Sequence, residues 1–254
     1  MYQANSDLLQ VLEVTARTLP GLSGRVGASG RDELACGAAD NPARIAALYR
    51  HWQFACPEAG VHYWTARTWT LLIWQPIYLS LLGVHLAGRL PSLQGMGQSV
   101  CEGVVSGFCL PEHAPRRAHE DALIGLAAEQ LRQLLERQLL EFDAVVAIHH
   151  KLARRLQADY VLAALLLIQR QRALDNARLH ELEQRWLTAL GLQGGSSLIE
   201  VRLDDGRARL ALGRKVCCQH FRRADGQLCS TCPKLKQDER MTRLRRELSL
   251  ECCD

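Results

Sequence analysis

Residues 71–86 read LLIWQPIYLSLLGVHL, an apolar run without a charged residue that is nearly long enough to cross a membrane. Within it, Gln75, Pro76 and His85 raise the free energy of insertion into a bilayer. We therefore predict a buried helix at the centre of a large core. A membrane-spanning helix remains the alternative, and we expect any membrane contact to be peripheral.

The chain around this run has the composition of a soluble protein. It contains 254 residues, of which 48% are apolar and 23% are charged, enough to bury a sizeable core. The first residues show no basic patch followed by an apolar run and a cleavage site, so we expect a cytoplasmic location. Ten cysteines in a reducing compartment favour metal binding or redox chemistry over a disulfide framework.

Helical periodicity flanks the apolar run on both sides. Apolar residues at helical spacing predict helices over about 8–19 and 41–56, and helix dominates over about 117–190. The glycine-rich stretch 21–30 predicts a flexible loop, and the β-branched stretch 103–110 predicts a strand. These patterns indicate a helical domain that contains few strands.

The composition changes at residues 194–197, which read Gly-Gly-Ser-Ser. Beyond them, apolar and charged residues alternate over 199–212 around the turn residues Asp205-Gly206, a pattern that predicts a β-hairpin. We therefore predict an α+β fold in two parts. Residues 1–193 form a predominantly helical main domain with a small sheet, and residues 194–254 form a small module with the hairpin and a Cys-rich segment.

The net charge of +4 is unevenly distributed along the chain. Residues 201–246 contain 13 Lys and Arg against 5 Asp and Glu, so the C-terminal module is basic. A basic surface can bind nucleic acid, but no groove-reading motif is recognisable, so we do not expect nucleic acid as a partner. The glycine patterns also do not predict a nicotinamide or flavin site, because none links a clear strand to a helix.

Four cysteines near the C-terminus have an unusual spacing. Cys217 and Cys218 are adjacent, ten residues separate them from Cys229, and two more precede Cys232. Cysteines separated by two residues can bind one metal in a tight turn. Neighbouring side chains of an extended strand point to opposite faces, so Cys217 and Cys218 must lie at a bend.

Three interpretations of these four thiols remain open on spacing alone. They are a zinc site, a 2Fe-2S cluster, and cysteines without a shared role. Structural zinc sites usually combine two pairs that each have intervening residues, whereas a 2Fe-2S cluster tolerates varied spacing between its halves. The spacing therefore favours the cluster.

The motif resembles the C-terminal cysteine motif of the FhuF-like ferric siderophore reductases, and the Trp-rich segment 62–76 is similar to theirs in a less specific way. The resemblance implies a 2Fe-2S cluster held by Cys217, Cys218, Cys229 and Cys232. It implies an enzyme that passes one electron to ferric iron in a siderophore, of the hydroxamate type, and releases ferrous iron in the cytoplasm.

This chemistry requires an electron donor and a surface for the chelate. We expect the donor to be a ferredoxin, a flavodoxin or a similar carrier, attracted by the basic residues around the motif. Aromatic rings with a cation among them can hold a bulky chelate, so Trp64, Arg67 and Trp69 are the candidate substrate residues. Packing of these side chains in the core is the alternative. We predict no catalytic residue beyond the cluster.

Two other functions remain compatible with the residues. A zinc-stabilised basic module could bind nucleic acid, and an iron-sulfur protein could act as a redox sensor without turnover. Cys252 and Cys253 have no assigned role, and we expect them to belong to a mobile tail.

Overall fold

The computed structural model describes residues 2–250, so the expectation for Cys252 and Cys253 lies outside the described residues. The helices are α1 Tyr2–Thr18, α2 Asn41–Ala55, α3 Gly60–Leu86, α4 Glu120–Asp143, α5 His150–Arg172, α6 Asn176–Ala189 and α7 Gln237–Leu250. The strands are β1 Gly24–Val26, β2 Leu34–Ala35, β3 Gly97–Cys101, β4 Val104–Leu110, β5 Ser197–Arg202 and β6 Ala208–Gly213. The predicted α+β fold is confirmed.

The apolar run lies on α3, which is the central helix of the core. Over residues 57–86 the chain is long and apolar enough to cross a membrane, and 83% of its most apolar window is buried inside the protein. The packing partners of α3 include α1, α2, α4 and α5. The predicted buried helix is confirmed, because other helices cover the apolar side chains that lipid would otherwise contact.

A four-stranded sheet in the order β1-β4-β3-β2 lies beside this helix. Strand β1 pairs parallel to β4, with Gly24 opposite Phe108 and Val26 opposite Leu110. The prediction of a flexible loop over 21–30 is therefore wrong in part. Strand β1 depends on a partner more than 80 residues away, and a Cβ at Gly24 would come within 2.5 Å of the Phe108 ring, so the glycine is needed for packing.

Three helices account for the predicted helical stretch over 117–190. The side chain of His119 caps α4, that of His149 caps α5, and that of Asp175 caps α6 by accepting the backbone N–H of Arg178 at 2.7 Å. Helix α5 ends at Ala173, whose backbone adopts the left-handed conformation. These short breaks turn one long periodic stretch into helices that pack against α3.

The C-terminal hairpin has two buried faces. Leu198 and Leu210 join the main core, whereas Val201 packs in a separate small cluster with Leu244 and Leu248 of α7. The antiparallel pairing of β5 with β6 confirms the predicted hairpin. Helix α7 was not predicted, because a helix with only two buried residues lacks a strong apolar stripe. The boundary between 193 and 194 stays a prediction.

Candidate metal centre

The segment that leads from β6 into the first cysteine pair is held by α5. The Arg214 guanidinium donates from Nε to Oδ2 of Asp159 at 2.7 Å, and the guanidinium of Arg155 donates to the Lys215 carbonyl at 3.3 Å. Asp159 is 1% exposed, and its other carboxylate oxygen accepts the hydroxyl of Ser196. These contacts place the first pair of cysteines beside the middle of α5.

The chain bends at the adjacent cysteines, as predicted. Gln219, directly after the pair, has a φ of 63°, in the left-handed region. Its backbone N–H then points back and donates to the Cys217 sulfur at 3.3 Å. A backbone donor to sulfur stabilises a thiolate, which is the form of cysteine that binds iron.

The second pair lies in a tight turn. The backbone N–H of Cys232 donates to the carbonyl of Cys229 at 2.9 Å, and the N–H of Leu235 donates to the Cys232 carbonyl at 3.2 Å. Arg243 on α7 donates to the carbonyl of Leu228 at 2.7 Å. Helix α7 therefore fixes the chain directly before this turn. The charge pattern of its sequence did not reveal this role.

The fold brings all four predicted ligands into one row of contacts. The sulfurs of Cys217 and Cys232 are 3.6 Å apart, and the Cys218 thiol interacts with those of both Cys217 and Cys229. A two-iron cluster needs four thiolates, two at each iron. Such a row, which ends in one half-buried thiol, fits that requirement.

The two ends of the row differ in burial. Cys217 and Cys232 are 7% and 1% exposed and pack with Leu235, whereas Cys218 and Cys229 are half-buried. Buried thiolates are shielded from solvent, whereas half-buried thiolates can be approached by a molecule at the protein surface. The arrangement gives the site one protected side and one accessible side.

Arg214 sets the electrostatics of the accessible side. Burial disfavours its charge, but Asp159 and the thiols of Cys218 and Cys229 attract the guanidinium and raise its pKa above the usual range. Contact with Cys218 lowers the pKa of the Cys217 thiol and raises that of Cys229, to which burial adds. A permanent cation beside a cluster of thiolates favours its reduced, more negative state.

The loop between the two pairs docks on the start of α3. The backbone N–H of Ala224 donates to Glu58 at 2.9 Å, and the ring of His220 lies 6.3 Å from that of Tyr63. Arg222 of this loop and Lys234, just after the second pair, both lie over the Phe221 ring, at 5.9 and 5.4 Å from its centroid. The loop therefore presents cations at the surface while its backbone is fixed to the main domain.

The three predicted substrate residues have different environments. Trp69 is fully buried, and its indole N–H donates to the Ala153 carbonyl at 3.2 Å, so the prediction of substrate contact is wrong for this residue. Trp64 is half-buried and donates to the carbonyl of Cys56 at 2.8 Å. Arg67 stacks on Trp52 at 4.7 Å and also lines a cleft. Substrate contact by Trp64 and Arg67 stays a prediction.

Sequence reasoning missed two residues of α5 that shape the site. Asp159 fixes Arg214, and Tyr160 lines the cleft beside Arg67 and is within electrostatic reach of the Cys218 thiol. The sequence signal was a single acidic residue in an otherwise apolar helical face, since a buried carboxylate needs a cationic partner. Within residues 2–250, no group of three or more His, Cys, Asp and Glu side chains lies close enough to hold a single metal ion.

Residues 214–234 match the family model described as the FhuF 2Fe-2S C-terminal domain. The matched segment contains all four cysteines of the row and Arg214. The resemblance found in the sequence is confirmed, and the cofactor is a 2Fe-2S cluster, which decides between the interpretations that spacing left open. The match supports an iron-sulfur, siderophore-iron reductase-like role.

Proposed function

We propose that this protein reduces ferric iron in a hydroxamate-type siderophore by one electron at a time, in the cytoplasm. The observation that carries the proposal is the row of four cysteines with its accessible end at Cys218 and Cys229, beside the partly buried cation Arg214. The four thiols would hold the 2Fe-2S cluster, which supplies single electrons when bound.

The chain contributes position, charge and shielding. Asp159 and Ser196 hold Arg214 in place, so the positive charge beside the accessible thiols does not depend on a flexible surface side chain. The buried pair, Cys217 and Cys232, keeps solvent from the opposite side. A reaction that only moves an electron needs no nucleophile or general base, which agrees with the absence of any predicted catalytic residue beyond the cluster.

Reduction suffices to release the metal. Hydroxamate oxygens are hard ligands that bind ferric iron tightly, and the softer ferrous ion is held much less strongly by the same oxygens. The siderophore therefore does not have to be hydrolysed. The products of each turnover are a ferrous ion and an intact ligand.

The electron donor in this proposal is an acidic carrier such as a ferredoxin or a flavodoxin. Arg222 of the loop and Lys234 beside it are exposed cations close to the cysteines. Complementary charge speeds the encounter of two proteins and weakens with added salt. A donor that binds this loop would lie near the cluster ligands.

The test is a single-turnover reaction under anaerobic conditions. The protein is reduced with dithionite, freed of excess reductant by desalting, and mixed with a ferric trihydroxamate while visible absorption is recorded. We expect the spectrum of the oxidised cluster to return as ferrous iron appears, trapped by a ferrous-specific chelator. A Cys101→Ser variant, altered at an exposed cysteine outside the row, serves as the matched control. A reduced cluster that persists in the presence of the chelate contradicts the proposal.

A further inference from the structure

A cleft of about 570 Å³ lies between α3, α5 and the start of β4. This volume falls within the range of small-molecule binding sites. Its charged and aromatic lining residues are Arg67, Trp74, Tyr78, Tyr160 and Arg170. The rest of its wall is mostly aliphatic, so the cleft combines apolar walls with a few polar groups.

The three aromatic rings form a continuous series along the cleft. The ring of Tyr78 lies 6.2 Å from that of Trp74 and 6.3 Å from that of Tyr160, edge to face in both pairs. These rings are only partly buried, so part of each aromatic surface is open to the cleft that the rings line. The series therefore provides a firm apolar surface that is open to a ligand.

The charged side chains in the described wall of the cleft are both arginines. Arg67 and Arg170 contribute guanidinium groups, and within residues 2–250 no Asp or Glu lines it. The Nε of Arg67 is buried and has no hydrogen-bond partner. A buried donor without a partner costs free energy unless a ligand accepts its hydrogen bond.

The cleft adjoins the accessible end of the cysteine row. Asp159, the neighbour of Tyr160 on α5, holds Arg214, and the Tyr160 hydroxyl is within electrostatic reach of both Arg67 and the Cys218 thiol. A smaller depression shares Leu166 and Arg170 with the cleft and extends to Thr231, between the second pair of cysteines. A molecule in the cleft would therefore lie on the side of the cluster from which an electron can leave.

We propose that this cleft binds the ferric chelate, and that its two arginines select oxygen-ligated chelates with a net negative charge. The inference rests on the proposed reductase function and adds to it the location of the substrate and the charge that it carries. The aromatic series packs against the organic part of the chelate, and Arg67 and Arg170 contact its anionic oxygens.

The test measures binding without electron transfer. Gallium(III) copies the charge and ligand preference of ferric iron but is not reduced, so the probes are two gallium complexes. One is a citrate-bridged dihydroxamate complex with a net negative charge, and the other is a neutral cyclic trihydroxamate complex. Their dissociation constants for the oxidised, cluster-loaded protein are measured by titration calorimetry.

We expect Arg67→Gln and Arg170→Gln each to weaken binding of the anionic complex about tenfold, the typical effect of one lost hydrogen bond to a charged group. The neutral complex should change less than about twofold. Arg132→Gln, which removes an exposed arginine of α4 outside the cleft, should leave both constants unchanged. Since Arg67 also stacks on Trp52, the far-ultraviolet circular dichroism and unfolding of each arginine variant are compared with those of wild type, which separates lost binding from lost folding.

A variant that fills the cleft distinguishes binding inside the cleft from nonspecific electrostatic attraction to the protein surface. Ala163→Phe places a ring in the cleft without changing any charge, and we expect it to abolish binding of both complexes. The inference is overturned if this variant and the two arginine variants bind like wild type, or if wild type binds neither complex. The single-turnover reaction is run on the same preparations. Wild type that fails to reduce any ferric chelate refutes the reductase function, whereas wild type that turns over while the cleft variants bind normally refutes the cleft alone.

Discussion

The helical core and the cysteine segment are stabilised in different ways. The core buries large side chains completely, among them Trp69, Phe142 and Trp186. Within the described chain, the cysteine segment has its own buried cluster of only Cys217, Cys232 and Leu235, and two of these are predicted cluster ligands. Little apolar surface is removed from water there, so burial cannot offset the entropy of ordering the segment. Binding of the cluster must supply the difference.

The comparison shows that the stability of the helical domain and the redox chemistry depend on separate sets of residues. The segment is attached to the core at a few points, chiefly Arg214 to Asp159 and Ala224 to Glu58. Loss of the cluster should therefore loosen the segment and leave the helices folded. Four changes, ordered by their expected effect on the free energy of unfolding of the helical domain, test this separation.

The largest effect is expected from Phe142→Ala. Phe142 is fully buried on α4 and packs edge to face with Trp69 at 5.6 Å, so its removal leaves a cavity that costs about 4 kcal/mol. Denaturant unfolding followed by far-ultraviolet circular dichroism measures the loss. Leu140→Ala on the same helix is the control, because Leu140 is 72% exposed and should change stability by less than about 0.5 kcal/mol. The cluster spectrum per folded molecule should stay unchanged in both.

A smaller effect, about 3 kcal/mol, is expected from Arg214→Gln, which leaves the buried Asp159 carboxylate without its cation. This change connects the two regions, so it should also lower the cluster reduction potential in a redox titration. The double variant Arg214→Met with Asp159→Leu should recover much of the stability and none of the potential. An unchanged potential in both variants would contradict the role given to Arg214.

Acid should destabilise the core through His85. Burial lowers the pKa of this histidine to about 4, although Glu120 opposes the shift, and Trp186 donates to its Nε2 at 2.8 Å. Between the unfolded pKa near 6.5 and the folded value, the unfolded chain binds a proton that the folded one does not, so stability falls as the pH is lowered. We expect a loss of about 2 kcal/mol from pH 7 to pH 5.

Glu120 acts in the same direction at lower pH. Burial opposes the shift, but His85, Arg178 and Arg172 lower its pKa in the folded state from the usual 4.5, so its stabilising charge is lost only as the pH falls below that value. His85→Gln keeps a hydrogen-bonding side chain without titration and should flatten the pH dependence between 7 and 5. Unfolding of both proteins at a series of pH values gives the comparison. Equal slopes for wild type and variant would assign the acid sensitivity to other groups.

The smallest effect on the helices is expected from Cys232→Ser. The visible absorption and electron paramagnetic resonance of the cluster should disappear or change, since Cys232 is one of its four predicted ligands. The unfolding of the helical domain should shift by less than about 1 kcal/mol relative to cluster-free wild type, because the loss is local. Limited proteolysis should then cut within 214–236, whereas Cys101→Ser should resist. Cooperative loss of the helices together with the cluster would refute the separation of the two regions.

Elements with a strong local signal were predicted from the sequence. The apolar run predicted α3, the capped periodic stretches predicted the helices around it, and alternation about Asp205-Gly206 predicted the hairpin. Strand β1 and helix α7 were missed. Strand β1 is defined by pairing with β4, and α7 by the few apolar residues that it places on the hairpin, so neither has a periodic pattern of its own.

The candidate site shows the same division. The spacing of the cysteines predicted the bend at Cys217 and Cys218 and four ligands whose thiols the fold brings into one row, because the reach of the chain limits which thiols can meet. The choice among the aromatic residues was less successful, since Trp69 is a core residue and Tyr160, which adjoins the cleft, was not selected. Their periodic positions on α3 and α5 do not tell which face of a buried helix borders an open cleft.

Local sequence patterns were enough to establish the helical class of the main domain, the hairpin and the group of four thiols. Each of these depends on residues close together in the chain, whose spacing limits the geometry that they can adopt. Only the tertiary structure decided that Asp159 fixes Arg214 and that Arg67 and Tyr160 share a cleft beside Cys218. Those relations join residues from distant parts of the chain, and they exist only once the packing of α3, α5 and the C-terminal segment has set their distances.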